Sequence, residues 1–236
     1  MECLFASGLE PGEDVYELTE PGELRHLRAL RLRPGESIAL TNGRGTLVLA
    51  EFCGENPERS AALFRIIREL PPNELPVPVG IALGILHERE RLEFAVEKAV
   101  ELGVHEISLL RTRYTQPVTV RLARLEAKIR AAVKQAHRAW CPRLRGPMTV
   151  EELFRDFAYQ QFVVCDICGE LPEPLPRVPT LFLVGPEGGW AAEEMELFRQ
   201  PGGRFWRLSA RRLRSETAVV VALSLLLTGW EALSSR

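Results

Sequence analysis

Two short stretches near the C-terminus carry residue types suited to chemistry. One is Leu183-Val184-Gly185-Pro186-Glu187-Gly188-Gly189-Trp190. The other is Leu208-Ser209-Ala210-Arg211-Arg212-Leu213-Arg214-Ser215-Glu216-Thr217. Each follows an apolar run that reads as a strand, and each leads into a helical pattern. A glycine-rich turn at a strand end lets backbone approach a ligand closely. The helix behind it offers free N–H groups. Two such turns on neighbouring strands can clamp one small molecule between them. Three arginines in the second turn suit an anionic partner.

Other chemistry is thin. His26, His87, His105 and His137 form no catalytic constellation. Cys165-Asp166-Ile167-Cys168 is a lone Cys-x-x-Cys. A structural zinc site needs four ligands, usually in paired spacing, so no metal is expected.

The elements that must position the turns follow from pattern. To about Leu70 the chain reads as β-rich, with strand-like runs at Ile38–Leu40, Thr46–Phe52 and Ala61–Ile67. Asn42-Gly43 marks a hairpin between the first two. A short helix is predicted over Glu23–Leu32, ended by Pro34-Gly35. This predicts a small barrel over residues 1–70. Residues 71–78 hold a proline-rich linker, which favours an extended spacer. From residue 79 to 236, strands and helices alternate. Val79–Leu86, Ile107–Leu110, Phe162–Val164, Thr180–Val184 and Phe205–Leu208 read as strands. The intervening helices include Leu122–Ala136 and a final apolar helix over Thr217–Leu233. Such alternation predicts a parallel α/β sheet, with ligands beyond the carboxyl ends of the strands.

Bulk properties bound the rest. The 236 residues are 46% hydrophobic and 26% charged, as in an ordinary globular chain of one large or two modest domains. Met1-Glu2-Cys3-Leu4 lacks a signal-peptide pattern. The run Ala218–Leu227 is too short to span a bilayer. A cytoplasmic protein without membrane contact is expected. The net charge of −2 argues weakly against nucleic acid. Its distribution argues the other way. Between Arg111 and Arg145 the only acid is Glu126, and between Arg199 and Arg214 there is none. Segregation of this kind creates a local positive field.

Taken together, these residues resemble the RsmE family. The resemblance rests on Gly185-Pro186-Glu187-Gly188-Gly189 with Glu193-Glu194, and on Leu208–Thr217 in the form Leu-x-x-Arg-x-Leu-Arg-x-Glu-Thr. Glu101-Leu102-Gly103-Val104, Gln135 with Arg138 and Pro142, and Asn42-Gly43-Arg44-Gly45 agree with it. It covers nearly the whole chain. It implies a PUA-like β-barrel, then a SPOUT-type parallel sheet with a C-terminal trefoil knot. It implies a homodimer that methylates N3 of a uridine in small-subunit (16S) ribosomal RNA from S-adenosylmethionine. Ser209, Lys134, Arg212 and Ala191 depart from the family pattern.

On this resemblance, Val184, Gly185, Glu187, Gly188, Gly189, Leu208, Ser209, Leu213 and Thr217 hold the cofactor. Arg28, Arg31, Arg124, Lys128 and Arg138 are the expected RNA contacts, the last three from the basic segment between Arg111 and Arg145. Arg214, and after it Arg211, stabilises charge on the uridine as its proton leaves. The residues also allow phosphate binding, or pairing with Glu216, as the role of these arginines. Two other functions fit the sequence: a SPOUT enzyme with a different RNA target, and a non-catalytic RNA-binding protein.

Overall fold

In the computed structural model the described residues are 1–199 and 203–234, the last four by backbone alone. Arg236, the expected end of the second domain, lies outside them. The chain divides into two compact units. The first takes Met1–Glu74 and Arg130–Cys141; the second takes Leu75–Ile129 and Pro142–Arg236.

Five strands build the first unit: β1 (Cys3–Phe5), β2 (Val15–Leu18), β3 (Ser37–Thr41), β4 (Leu47–Asn56) and β5 (Ala61–Glu69). Their order is β1-β3-β4-β5-β2, with β1 parallel to β3 and the other pairs antiparallel. The predicted hairpin joins β3 to β4. Asn42 Oδ1 closes its loop by accepting from the amides of Arg44 (2.7 Å) and Thr46 (3.0 Å), an Asx turn. Helix α1 (Pro21–Leu30) starts on a proline, whose missing N–H costs nothing in the first turn. Its Leu24 and Leu27 enter a core with Leu4, Leu18, Ile38, Leu40, Phe52 and Phe64. This is the PUA-like half of the expected fold.

The second unit is a six-stranded parallel sheet. Its strands are β6 (Val79–Gly84), β7 (Glu106–Leu110), β8 (Arg143–Met148), β9 (Gln161–Glu170), β10 (Thr180–Val184) and β11 (Gly203–Trp206). The spatial order is β11-β9-β10-β6-β7-β8. Strands β6 and β10 are buried at every position, as a parallel sheet covered on both faces requires. Helices α2 (Arg89–Glu101), α3 (Leu122–Gln135), α4 (Val150–Arg155), α5 (Ala192–Phe198) and α6 (Ser215–Ser234) complete the chain. Residues of α3 belong to both units.

Chain order explains where a ligand fits. From β6 the chain steps outward through β7 to β8. It then returns to β9, inserts β10 between β9 and β6, and ends the sheet at β11. Val184 is in register with Leu83 of β6 on one side and Cys165 of β9 on the other. The direction of winding reverses at β6 and β10. A crevice outside the carboxyl ends of such strands is the usual ligand site.

No helix among the described residues is long and apolar enough to cross a membrane. In α6 one face is buried through Val219, Ala222, Leu223, Leu226 and Trp230. Val220, Val221 and Leu227 are half-buried, and Leu225 is exposed.

Candidate active site

The two turns singled out in the sequence leave β10 and β11 and meet. Ser215, the first residue of α6, donates its hydroxyl to the carbonyl of Gly185 at 2.7 Å, and both are buried. Arg212 Nη2 donates to the carbonyl of Glu187 at 3.2 Å. The loop after β11 is thus fastened to the loop after β10 at two points. The segment after β6 joins them: His87 N donates to Glu187 Oε1 at 3.2 Å. Gly84 at the end of β6 faces Pro186 so closely that a Cβ has no room.

A third loop enters from the end of β7. Arg113 N donates to Glu194 Oε1 at 2.8 Å, while Glu194 Oε2 accepts from Ala191 N at 2.8 Å. Ala191 has no side-chain oxygen to cap α5. Glu194 takes over by reaching back to the Ala191 amide. Beside it, Tyr114 lies against Gly188. A Cβ at Gly188 would stand 2.6 Å from Tyr114 Cβ. The sequence assigns Gly188 to close ligand approach; the atom that excludes a side chain there belongs to Tyr114. Tyr114 and Arg113 are site residues that the sequence reading left inside a basic cluster. The Thr112-x-x-Thr115 turn was the available signal: Thr115 Oγ1 accepts from Thr112 N at 2.9 Å.

The remaining assigned residues gather on the same edge. Val184 ends β10 and is buried. Leu208, Ser209 and Leu213 are half-buried, and Thr217 is exposed in the first turn of α6. Ser209 Oγ accepts from Arg211 N at 3.0 Å and shapes the turn. Arg211 and Arg214 are exposed, and neither guanidinium has an ion-pair partner among the described residues. Glu216, the suggested partner of Arg214, instead approaches Arg91 Nε at 3.8 Å. Trp190 packs edge-on against Phe198 at 4.8 Å between centroids. Its buried Nε1 has no hydrogen-bond partner among the described residues.

The expected RNA contacts differ in burial and in partners. Arg138 is corrected: it is 1% exposed and its Nε donates to Glu74 Oε2 at 3.0 Å. Burial of a guanidinium is tolerated only with such a partner, so it is a structural residue. Arg124 is exposed, yet it grips the buried carboxylate of Glu93 on α2. The hydrogen bond from Arg124 holds the Glu93 carboxyl below the usual range. Lys128 Nζ lies 3.4 Å from Glu97. Arg28 donates through Nε and Nη2 to Glu55 at 2.9 and 2.7 Å. Arg31 is exposed and ends α1 in a left-handed conformation. No three His, Cys, Asp or Glu side chains gather as a metal site among the described residues.

Comparison with known proteins places this geometry. Residues 73–227 match the RNA methyltransferase domain family, and residues 18–60 match the RNA methyltransferase PUA domain. The chain belongs to the RNA methyltransferase family. It is 30% identical over 226 residues to the ribosomal RNA small subunit methyltransferase E of Mycobacterium bovis, covering 87% of this chain and 84% of that one. It is 28% identical over 227 residues to the protein of that name from Synechocystis, with 90% and 74% covered. Among solved structures, the ribosomal RNA small subunit methyltransferase E of Neisseria gonorrhoeae bound to S-adenosyl methionine superposes with a TM-score of 0.84. The two are 26% identical, with 97% of each chain covered.

The turns of this RNA methyltransferase suit that cofactor chemically. The amides of Ser209, Ala210, Arg212 and Leu213 make no hydrogen bond to described residues, so donors are available beside the apolar Leu208 and Leu213. The unpaired indole N–H of Trp190 lies beneath the Gly185 turn. The family expectation drawn from the sequence is met on both units.

Proposed function

We propose that this chain methylates N3 of a uridine in small-subunit ribosomal RNA, as a homodimer acting in the cytoplasm on RNA or on the assembling subunit. The observation that carries the reading is the joining of the two turns by Ser215 and Gly185, at the sheet edge where winding reverses. S-adenosylmethionine supplies an electrophilic methyl group when bound. Val184–Gly189 and Leu208–Leu213, with Thr217, hold it through backbone donors and the two leucines.

The rest falls to side chains. Uridine N3 must lose a proton before or during attack, and charge spreads to the flanking carbonyl oxygens. Arg214 and Arg211 present guanidinium groups without an ion-pair partner among the described residues, and these can stabilise that charge. Glu187 Oε1 accepts the His87 amide and ties the segment after β6 to the turn.

The departures from the family pattern have structural uses. Lys134 Nζ pairs with Glu23 at 2.8 and 3.0 Å. Ser209 shapes its own turn, and Arg212 fastens it to Glu187. None of the three calls for a different RNA target. A dimer is supported by apolar residues of α6 that the described residues cover only in part, Val220 and Val221 half-buried and Leu225 exposed. The insertion of β10 between β9 and β6 supports the threaded, knotted path.

The test is the small-subunit RNA of a strain lacking the gene. One N3-methyluridine should disappear and return with the intact gene. An unchanged modification pattern would overturn the reading.

A further inference from the structure

Trp140 stands outside the hydrophobic cores, with 51% of its surface exposed. Its backbone is nevertheless fixed from three directions. Arg44 and Trp140 form an antiparallel bridge. Around it, Gly45 N donates to Ala139 O at 2.8 Å and Cys141 N to Gly43 O at 2.9 Å. Trp140 N donates to Glu74 Oε1 at 3.1 Å, the carboxylate already held by buried Arg138. The indole rests on Gly45, where a Cβ would stand 2.7 Å from Cζ2 and 3.0 Å from Cε2. Gly45 has φ +114°, which L side chains rarely adopt. The loop thus offers the ring a flat seat that no other residue type provides, and leaves half of it to solvent.

The surroundings are basic. Arg44 is bridged to Trp140, and its only ion pair among the described residues is with exposed Glu10 at 2.8 Å. Such a surface pair contributes little and exchanges readily. Arg130 is exposed and has no ion-pair partner among the described residues. It lies near enough to Cys141 to oppose the upward push of burial on that thiol. A rigid, half-exposed aromatic ring on a strand bridged to Arg44 has the composition that stacks an unpaired base and neutralises its phosphates.

We propose that Trp140 is a stacking platform for an unpaired base of the RNA substrate, with Arg44 and Arg130 contacting the flanking phosphates. This rests on the RNA-substrate reading above.

The test uses the full chain and short single-stranded oligouridylate in filter binding, beside a duplex of the same length. Trp140→Ala should weaken single-strand binding by about 5- to 150-fold, the usual worth of one stacked base. Its salt slope should stay that of the parent, since no phosphate contact is lost. Trp140→Phe should keep most of the affinity. Trp140→Leu fills the seat on Gly45 without a π face, so it should bind as weakly as Trp140→Ala, and it carries the test if the alanine variant does not fold. Equal binding by parent and Trp140→Leu would overturn the proposal, as would an equal loss on the duplex. The two readings separate cleanly. A parent protein that methylates small-subunit RNA with Trp140→Leu binding unchanged sinks the platform alone. A parent that transfers no methyl, yet loses oligouridylate on Trp140→Leu, sinks the substrate assignment alone.

Discussion

Ser215 Oγ and the Gly185 carbonyl lie 2.7 Å apart in a buried setting, and this bond joins the two turns into one site. Ser215→Ala leaves that carbonyl without its donor. A lost buried hydrogen bond of this kind costs about 1 kcal/mol, more if the partner stays dry. Calorimetry should show weaker S-adenosylmethionine binding by several-fold in a protein that still unfolds cooperatively. Unchanged affinity would mean that the turns are set independently.

Gly188 is expected to tolerate no side chain. The obstacle is Tyr114 Cβ, which every residue except glycine carries. Gly188→Ala and Gly188→Val should both displace the loop after β7 and weaken cofactor binding. Overpacking of this type costs about 1–3 kcal/mol. Tyr114→Ala should not rescue either variant, because its Cβ remains. Rescue by Tyr114→Ala would place the conflict on the ring instead.

The basic residues should separate by experiment. Arg138→Ala leaves the largely buried Glu74 carboxylate without its cation, and losses of this kind run to about 3–5 kcal/mol for fully buried pairs. Urea unfolding should show that loss. Arg31→Gln should leave stability nearly unchanged and lower the salt slope of RNA binding by about 0.7 if it meets one phosphate of a single strand. A stable Arg138→Ala protein with a reduced salt slope would reverse the two assignments.

Alkaline pH should destabilise the fold through Cys3. Burial raises that thiol from 9.0 to about 12. Above the lower value the unfolded chain gives up the proton while the folded chain keeps it, so stability falls as pH rises through this window. One group contributes at most about 1.4 kcal/mol per pH unit. Denaturant midpoints of the parent should decline more steeply above pH 9 than those of Cys3→Ala. Parallel declines would mean that the thiol does not govern the loss.

Much of the fold was legible, for physical reasons that differ by element. Thr180–Val184 was read with correct bounds because a central parallel strand is apolar throughout. The Asn42-Gly43 hairpin declared itself through turn chemistry. Strands β1 and β2 are too short, at three and four residues, to show a period. Strand β8 holds Arg143, Arg145, Gly146 and Pro147 and lacks strand-like alternation. Helix α4 was missed although Thr149 and Glu152 form a capping box. The site turns were visible as local motifs. Their partners were not, because Ser215 meets Gly185 across 30 residues and Arg138 meets Glu74 across 64. Charge counts alone therefore put a buried arginine on the RNA surface.

We propose that these turns catalyse methyl transfer to small-subunit RNA, with Arg214 stabilising the uridine anion. Single-turnover methylation with saturating labelled S-adenosylmethionine and unmodified small-subunit RNA or subunits tests it most directly. The parent should label one uridine at N3. Arg214→Ala should lose about a hundredfold or more in rate while binding the cofactor almost normally, as expected for an interaction made mainly in the transition state. Arg214→Lys should recover little, because a point charge lacks the forked geometry. A parent that binds the cofactor but labels no small-subunit RNA would overturn the proposed function. An Arg214→Ala protein at near-full rate would move the catalytic role to Arg211.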